Sequence, residues 1–387
     1  MLEKAFQIEQ QLVTWRREIH QDPELGFQEY HTAARVSEVL SALGYRVRTG
    51  VGKTGVVGEL GEGSPIVAVR ADMDALPIPE ANEVPYASRN PGIMHACGHD
   101  AHVAIALGTA TLLAKQTLPG TVRFLFQPAE EVGDEEGISG APRMIEDGAM
   151  QGVDYIIALH MDTDIAAGDI TASDGLVSAG VDTFYATICG KGGHGAQPDV
   201  SIDPIYIAGH VILALNGIVS RRLDPIEPAV VSLGSIKGGD ASNVIPDRVE
   251  MMGTIRFLSD DVQKKIHQEL RRAMEISRIF DGDYELKLEI GYPPMYNDKK
   301  ISQLIADVAD DILGKGHNIP QKSNMGAEDF GFFLKLAPGA MFSHGCRIEG
   351  DPRLAHSPTF DIDERSLPYG VAILSESVLR LMRKSDV

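Results

Sequence analysis

The stretch Ile66-Val67-Ala68-Val69-Arg70-Ala71-Asp72-Met73-Asp74-Ala75-Leu76-Pro77 decides the fold class. Its first half is apolar at consecutive positions, the pattern of a strand buried on both faces of a sheet. Its second half leaves two carboxylates, Asp72 and Asp74, at the carboxyl end of that strand. Two later stretches repeat this design. Thr121 to Phe126 runs into Gln127-Pro128-Ala129-Glu130-Glu131, and Tyr155 to Leu159 runs into His160. Helix-like runs separate them, one reaching about Gln116 and one near Ala141 to Glu146. Alternating strands and helices predict an α/β layer with a largely parallel sheet. Ligands of such sheets gather beyond the carboxyl ends of the strands, where these acidic and imidazole groups stand.

Working outward, residues 3–20 predict one helix with Phe6, Leu12, Trp15 and Ile19 on its apolar stripe. A second helix spans about Thr32 to Leu43 and is closed by Gly44. Short strands follow at Tyr45 to Thr49 and Gly55 to Leu60. From about Asp182 the order changes: strand (Thr183 to Cys189), helix (Pro204 to Ser220), strands (Ala229 to Ile236, Arg248 to Phe257), helix (Asp260 to Phe280) and strand (Tyr284 to Ile290). That β-α-β-β-α-β order is the ferredoxin-like arrangement, and it predicts an α+β domain inserted into the first. After Pro293-Pro294 the α/β pattern resumes and ends in a helix from Glu364 to Met382. The predicted organisation is residues 1–181 and 294–387 as one domain and 182–293 as the other.

The chain's 387 residues suffice for two domains. Its 55 acidic and 35 basic residues give a net charge of −20, which argues against nucleic acid and against an anionic membrane surface. Cys97, Cys189 and Cys346 are odd in number and far apart, so no disulfide framework is expected. Met1 to Phe6 lacks a basic-then-apolar signal pattern, and no apolar run is long enough to cross a bilayer. The cytoplasm is the expected compartment.

The chemistry concentrates in His95-Ala96-Cys97-Gly98-His99-Asp100-Ala101-His102. A thiolate and imidazoles this close, at a loop-to-helix junction, suit a borderline-soft divalent metal. A helix N-cap at Asp100 with incidental histidines is the plainer alternative. Taken singly, Glu130-Glu131 reads as a solvated loop, His160 as a satisfied buried histidine, His356 as surface, and Gly192-Gly193-His194-Gly195 as a flexible linker. Together, one cysteine, several histidines and paired glutamates at separate strand ends favour a two-metal hydrolytic centre, in which one glutamate binds metal and its neighbour moves protons.

The chain resembles the M20 metallopeptidase family, in its amidohydrolase branch of N-acyl-L-amino acid amidohydrolases, hippurate hydrolases and indole-acetyl-amino acid hydrolases. The matching segments are Trp15-Arg16-Arg17-Glu18-Ile19-His20 with Pro23-Glu24-Leu25; Arg70 to Pro77; His95 to His102; Phe126 to Glu131; Gly190-Lys191-Gly192-Gly193-His194; Asn243-Val244-Ile245-Pro246; Gly253-Thr254-Ile255-Arg256; and Gly326-Ala327-Glu328-Asp329-Phe330. The resemblance implies two divalent ions (Zn, Mn, Co or Ni) held by Cys97, His99, Glu131, His160 and His356, with Cys97 bridging. It implies Glu130 as general base, His194 as the oxyanion donor reaching a partner subunit's site, and Asn243 and Arg256 as substrate-binding residues. Many family members carry His-x-Asp where this chain has Asp72-Met73-Asp74; Asp74 is expected to orient a ligand, while Asp72 and His102 receive no fixed role. The implied protein is a homodimer or dimer of dimers, with the inserted domain as lid and dimer surface. Its implied activity is removal of the acyl group from a small N-acyl-L-amino acid. A carboxypeptidase or dipeptidase shares that chemistry, and a non-catalytic binding relative is the reading of another class.

Overall fold

The computed structural model describes residues 1–320 and 325–383. Along the chain run α1 (Leu2–Phe6), α2 (Glu9–Gln21), α3 (Tyr30–Ala42), β1 (Arg46–Val51), β2 (Gly55–Gly61), β3 (Ile66–Asp72), α4 (His99–Leu113), β4 (Thr121–Gln127), α5 (Gly140–Glu146), β5 (Tyr155–Ala166), β6 (Ile170–Thr171) and β7 (Gly175–Ser178). Then come β8 (Gly180–Cys189), β9 (Gly193–His194), α6 (Pro204–Arg222), β10 (Ala229–Lys237), β11 (Val244–Ile245), β12 (Arg248–Phe257), α7 (Asp260–Met274), α8 (Ile276–Ile279) and β13 (Asp283–Ile290). The chain closes with β14 (Met295–Asn297), α9 (Lys299–Leu313), α10 (Gly331–Leu334), β15 (Gly339–Arg347) and α11 (Leu367–Arg383). Two compact units result. One contains Met1–Val177 and the segments that begin at Tyr296 and Asp329; the other contains Ser178–Met295 with a short return at residues 325–328.

The first unit is a mixed α/β layer around a seven-stranded sheet of order β1-β2-β4-β3-β5-β15-β6. Parallel pairing holds at its centre, between β3 and β4, β3 and β5, and β5 and β15. The outer pairs are antiparallel. The expected largely parallel sheet is therefore corrected to a mixed one. Only residues 52–54 join β1 to β2, and a parallel pair needs a crossover of a dozen residues or more. Every residue of β4 is buried, including Arg123, whose Nε donates to Glu59 Oε1 at 2.6 Å.

Helix α4 carries the Cys/His stretch at its start and is buried along its length except at Thr111. It packs on β3, with α2 and α11 against it. A helix apolar all round belongs in a core. Side chains such as Ile105, Leu107 and Leu113, with no exposed surface, each contribute about 1.5–3 kcal/mol.

Two predicted helices are interrupted. The run over 3–20 is α1 and α2, because the Ile8 N–H turns back to Ala5 O at 3.1 Å, an i−3 bond that ends the first helix. The run over 260–280 breaks at Glu275 into α7 and α8.

The second unit holds a four-stranded sheet of order β10-β12-β8-β13, antiparallel throughout, with α6 and α7 packed on it. Ile207, Val211, Leu215 and Ile218 of α6 join Val262, Ile266 and Leu270 of α7 in its core. The expectation that no apolar run could cross a bilayer is corrected here: α6 is long and apolar enough by length and composition. Its buried stripe at residues 207, 211, 215 and 218 is that of a helix lying on a sheet.

Candidate metal centre

The centre grows from the junction of Cys97 and α4. Gly98 adopts φ +93°, and a Cβ there would stand 2.9 Å from the Met161 Cβ. Only glycine makes this left-handed turn with the neighbouring chain so close. The turn sets Cys97 and His99 beside His160, which lies in the middle of β5 and not at the strand end expected from the sequence, because β5 continues to Ala166. The donor atoms of Cys97, His99 and His160 lie within 4.8 Å of one another, as do those of Cys97, Glu131 and His356, and those of His99, Glu130 and Glu131. Cys97 Sγ is 3.6 Å from His160 Nε2, and His356 Nε2 is 3.0 Å from Glu131 Oε1. The structure thus brings together six of the residues singled out in the sequence.

Their orientations are fixed from behind. His99 Nδ1 donates to the Asp74 carbonyl at 2.9 Å and lies 3.2 Å from Asp74 Oδ1, while Asp74 Oδ2 accepts the Glu131 N–H at 3.0 Å. His160 Nδ1 donates to Met161 O at 2.8 Å. The His356 N–H donates to Ala96 O at 2.7 Å, tying its loop to the residue before Cys97. These bonds commit the Nδ1 of His99 and of His160 and leave each Nε2 as the lone-pair donor.

His102 and Asp72, whose roles the sequence left open, form a further link. His102 Nε2 accepts the Met161 N–H at 2.8 Å, so its Nδ1 carries the proton and donates to Asp72 Oδ1 at 2.5 Å. Arg70 Nη1 approaches Asp72 Oδ2 at 2.5 Å. Both nitrogens of His102 are spent on protein groups, and the ring steadies the chain beside His160. The i, i+3 spacing of His99 and His102 was the available signal, since it stacks the two rings, with centroids 5.3 Å apart.

Charge alternates through the cluster. Burial works to push the Cys97 thiol up, but the imidazoles of His160, His356 and His99 outweigh it and bring it down to about 6. Burial likewise opposes ionisation of Glu131, and His356 and His99 reverse that. Cys97 and Glu131 together raise His356 to about 10. His99 is raised well above the usual imidazole range against its burial, chiefly by Asp72 and Asp74. His102 goes the other way: burial takes it down to about 4 despite Asp72.

The cluster fits divalent metal. His99 Nε2 is buried and makes no hydrogen bond among the described residues. A buried donor or acceptor left unpaired costs about 1–3 kcal/mol unless something occupies it. Thiolate, imidazole and carboxylate together suit Zn and its borderline neighbours, and their protons are those that metal binding releases.

The remaining predicted residues belong to the second unit. His194 lies on β9, opposite Val244 of β11, and is exposed. The Asn243 carbonyl accepts the Gly195 N–H at 2.9 Å, so His194 and Asn243 share one small ladder. His194 Nδ1 accepts the Ala196 N–H at 3.0 Å, which places the ring proton on Nε2. Arg256 stands apart from that ladder on β12, opposite Val230 and Val181. It is half-buried, its Nη1 is 3.4 Å from Met325 O, and burial lowers its pKa.

A mixed α/β unit with imidazole, thiolate and carboxylate donors converging in one cluster defines a candidate metallohydrolase. Residues 68–380 match Peptidase family M20/M25/M40, and the chain belongs to that family. It is therefore a hydrolase. It is 40% identical to the N-acetyl-L-cysteine deacetylase of Bacillus subtilis, over 98% of this chain and 90% of that protein. It is 41% identical to thermostable carboxypeptidase 2 of Saccharolobus solfataricus, over 94% of this chain and 93% of that one. Its structure is similar to that of a Bacillus subtilis dinuclear metal binding peptidase of the M20 family, with TM-score 0.83, 33% identity, and 97% and 98% of the two chains covered.

Proposed function

We propose that this hydrolase is a two-metal amidohydrolase that releases the acyl group from N-acyl-L-amino acids. The observation that carries the reading is the meeting of Cys97, His99, Glu131, His160 and His356 with a second carboxylate, Glu130, inside the same cluster. Cys97, His99, Glu131, His160 and His356 would hold the ions. Two divalent cations (Zn, Mn, Co or Ni) would supply Lewis-acid polarisation of the scissile carbonyl and a water of lowered pKa.

The chain's own groups do the rest. Glu130, buried beside His99 and Glu131, accepts a proton from the attacking water and later delivers it to the leaving amine. His194, with its proton on Nε2, would reach the site of a partner subunit and donate there to the oxyanion of the tetrahedral intermediate. The Arg256 guanidinium is suited to a bidentate contact with the substrate carboxylate, and Asn243 is a second substrate-binding residue. Asp74 orients His99. The second unit, read as a ferredoxin-like module, serves as lid and dimer surface. The assembly is a homodimer or dimer of dimers in the cytoplasm, and its partner molecule is a small N-acyl amino acid, with neither nucleic acid nor membrane involved.

Similarity to a carboxypeptidase favours one second reading, cleavage of a peptide bond beside a free carboxylate. Amine release from N-acetyl-methionine, hippurate, an indole-acetyl amino acid and a simple dipeptide separates the two. It is measured after chelation and after adding Zn, Mn or Co. Metal-dependent release from the N-acyl amino acids with a slow dipeptide supports the amidohydrolase. A fast dipeptide alone replaces it with the peptidase, and no turnover with metal bound replaces both with a binding protein.

A further inference from the structure

The carboxylate pair stands on an unusual turn. Ala129 has φ +46°, a conformation in which the β-carbon crowds the following carbonyl. Such a residue persists only where its surroundings fix it. Two contacts do so. The Gly140 N–H donates to Ala129 O at 2.9 Å, and Glu29 Oε1 accepts the Ala129 N–H at 2.8 Å. Glu29 has no exposed surface, and its other oxygen, Oε2, is 2.5 Å from Thr54 Oγ1. The turn is also enclosed: a Cβ on Gly26 would meet Val132 Cγ2 at 2.5 Å and Ala129 Cβ at 2.9 Å.

The turn matters because adjacent residues of an extended strand point to opposite faces. Here Glu130 and Glu131 leave β4 through Ala129 and bring both carboxylates within 4.8 Å of the same His99 nitrogen. Glu131 has its own anchor, since its N–H is held by Asp74. Glu130 is thus flanked by two backbone amides that buried carboxylates of distant elements hold, Glu131 by Asp74 and Ala129 by Glu29. Nothing in the local sequence spacing marks Glu29, which is 100 residues away along the chain.

We propose that Glu29 is a positioning residue: by accepting the Ala129 N–H it holds the left-handed turn that sets the Glu130 carboxylate. The proposal rests on the reading of Glu130 as general base. A carboxyl is not required, only an acceptor. In Glu29→Gln the amide oxygen can accept the Ala129 N–H while the amide nitrogen donates to Thr54 Oγ1. In Glu29→Met a similar volume is kept and the acceptor is lost.

The test uses the metal-loaded full chain and four readouts: kcat and KM for N-acetyl-methionine, bound metal per chain, Mn affinity by titration calorimetry, and the unfolding midpoint. Glu29→Gln is expected to stay within about threefold of the parent kcat. Glu29→Met is expected to lose about 30- to 100-fold in kcat, the scale of a misplaced reacting group, with KM, metal stoichiometry and Mn affinity little changed. A Glu29→Met protein with full kcat overturns the proposal. So does a kcat loss matched by an equal loss of bound metal, which is collapse of the centre rather than misplacement of one group. Glu29→Ala is the second acceptor-free variant, and if neither folds, Glu29 is a folding residue and the positioning role is gone. Glu130→Gln is run alongside. If it keeps turnover, both the base assignment and this proposal fall; if it is inactive while Glu29→Met is fully active, only Glu29 falls.

Discussion

Asp74 grips His99 from behind, with its carbonyl 2.9 Å and its carboxylate 3.2 Å from Nδ1, and with its other carboxylate oxygen it holds the Glu131 backbone. One short acidic side chain therefore orients two candidate metal donors from different elements. Replacing Asp74 by Ala is expected to weaken metal binding by about 10- to 100-fold, the usual cost of losing such support. Competition with a calibrated chelator measures it. An unchanged affinity would remove Asp74 from this role.

Arg16 is fully buried and meets three carboxylates: Asp100 at 2.8 Å, Asp361 at 2.7 Å and Glu364 at 3.2 Å. It joins α2 to the first turn of α4 and to the segment before α11. Arg16→Met leaves Asp100, itself without exposed surface, facing no guanidinium. The expected loss is about 3–5 kcal/mol of stability. Urea unfolding of parent and variant would show it, and coincident curves would count against the network's importance.

Glu29 carries a pH signature as well. Burial raises its carboxyl from 4.5 to about 7, and the nearby Asp74 charge adds to the effect. A folded pKa above the unfolded one means that the folded state binds the proton more tightly. The stabilisation is complete below about 4.5 and is lost as pH rises through about 7. Across that window the parent should lose up to about 3 kcal/mol relative to Glu29→Gln, which cannot titrate. Paired denaturation curves at pH 5 and pH 8 test this; a difference that stays constant with pH contradicts it.

Arg256, half-buried, makes one long backbone contact among the described residues, and its guanidinium suits a carboxylate. Arg256→Ala is expected to raise KM for N-acyl amino acids by about 10- to 100-fold. The same substrates with the carboxylate converted to an amide should bind the two proteins alike. Equal KM increases for acid and amide would show that Arg256 serves the fold instead.

The sequence made the central strands readable because β3, β4 and the start of β5 are buried on both faces, which leaves mostly apolar runs broken only by Arg70 and Arg123. It made the donor types readable because cysteine, histidine and glutamate cluster at the ends of those runs. Pairing direction was less visible: the three-residue link between β1 and β2 forces an antiparallel edge that apolar runs do not record. The breaks at Ile8 and Glu275 carry no proline or glycine, so residues 3–20 and 260–280 each read as one helix. The links Asp72–His102 and Glu29–Ala129 were not legible, because each joins residues 30 or 100 positions apart whose neighbours form no spacing pattern.

The enclosure of α4 has a kinetic consequence. All its residues but Thr111 are buried, and its first turn is held by Gly98 O, which accepts the N–H groups of Ala101 and His102 at 3.0 Å each. Local fraying, the cheapest opening available to most helices, is thus closed to the one that begins with His99. Deuterium should enter α4 only when the whole unit opens, so the slowest-exchanging amides and the candidate centre belong to one cooperative block.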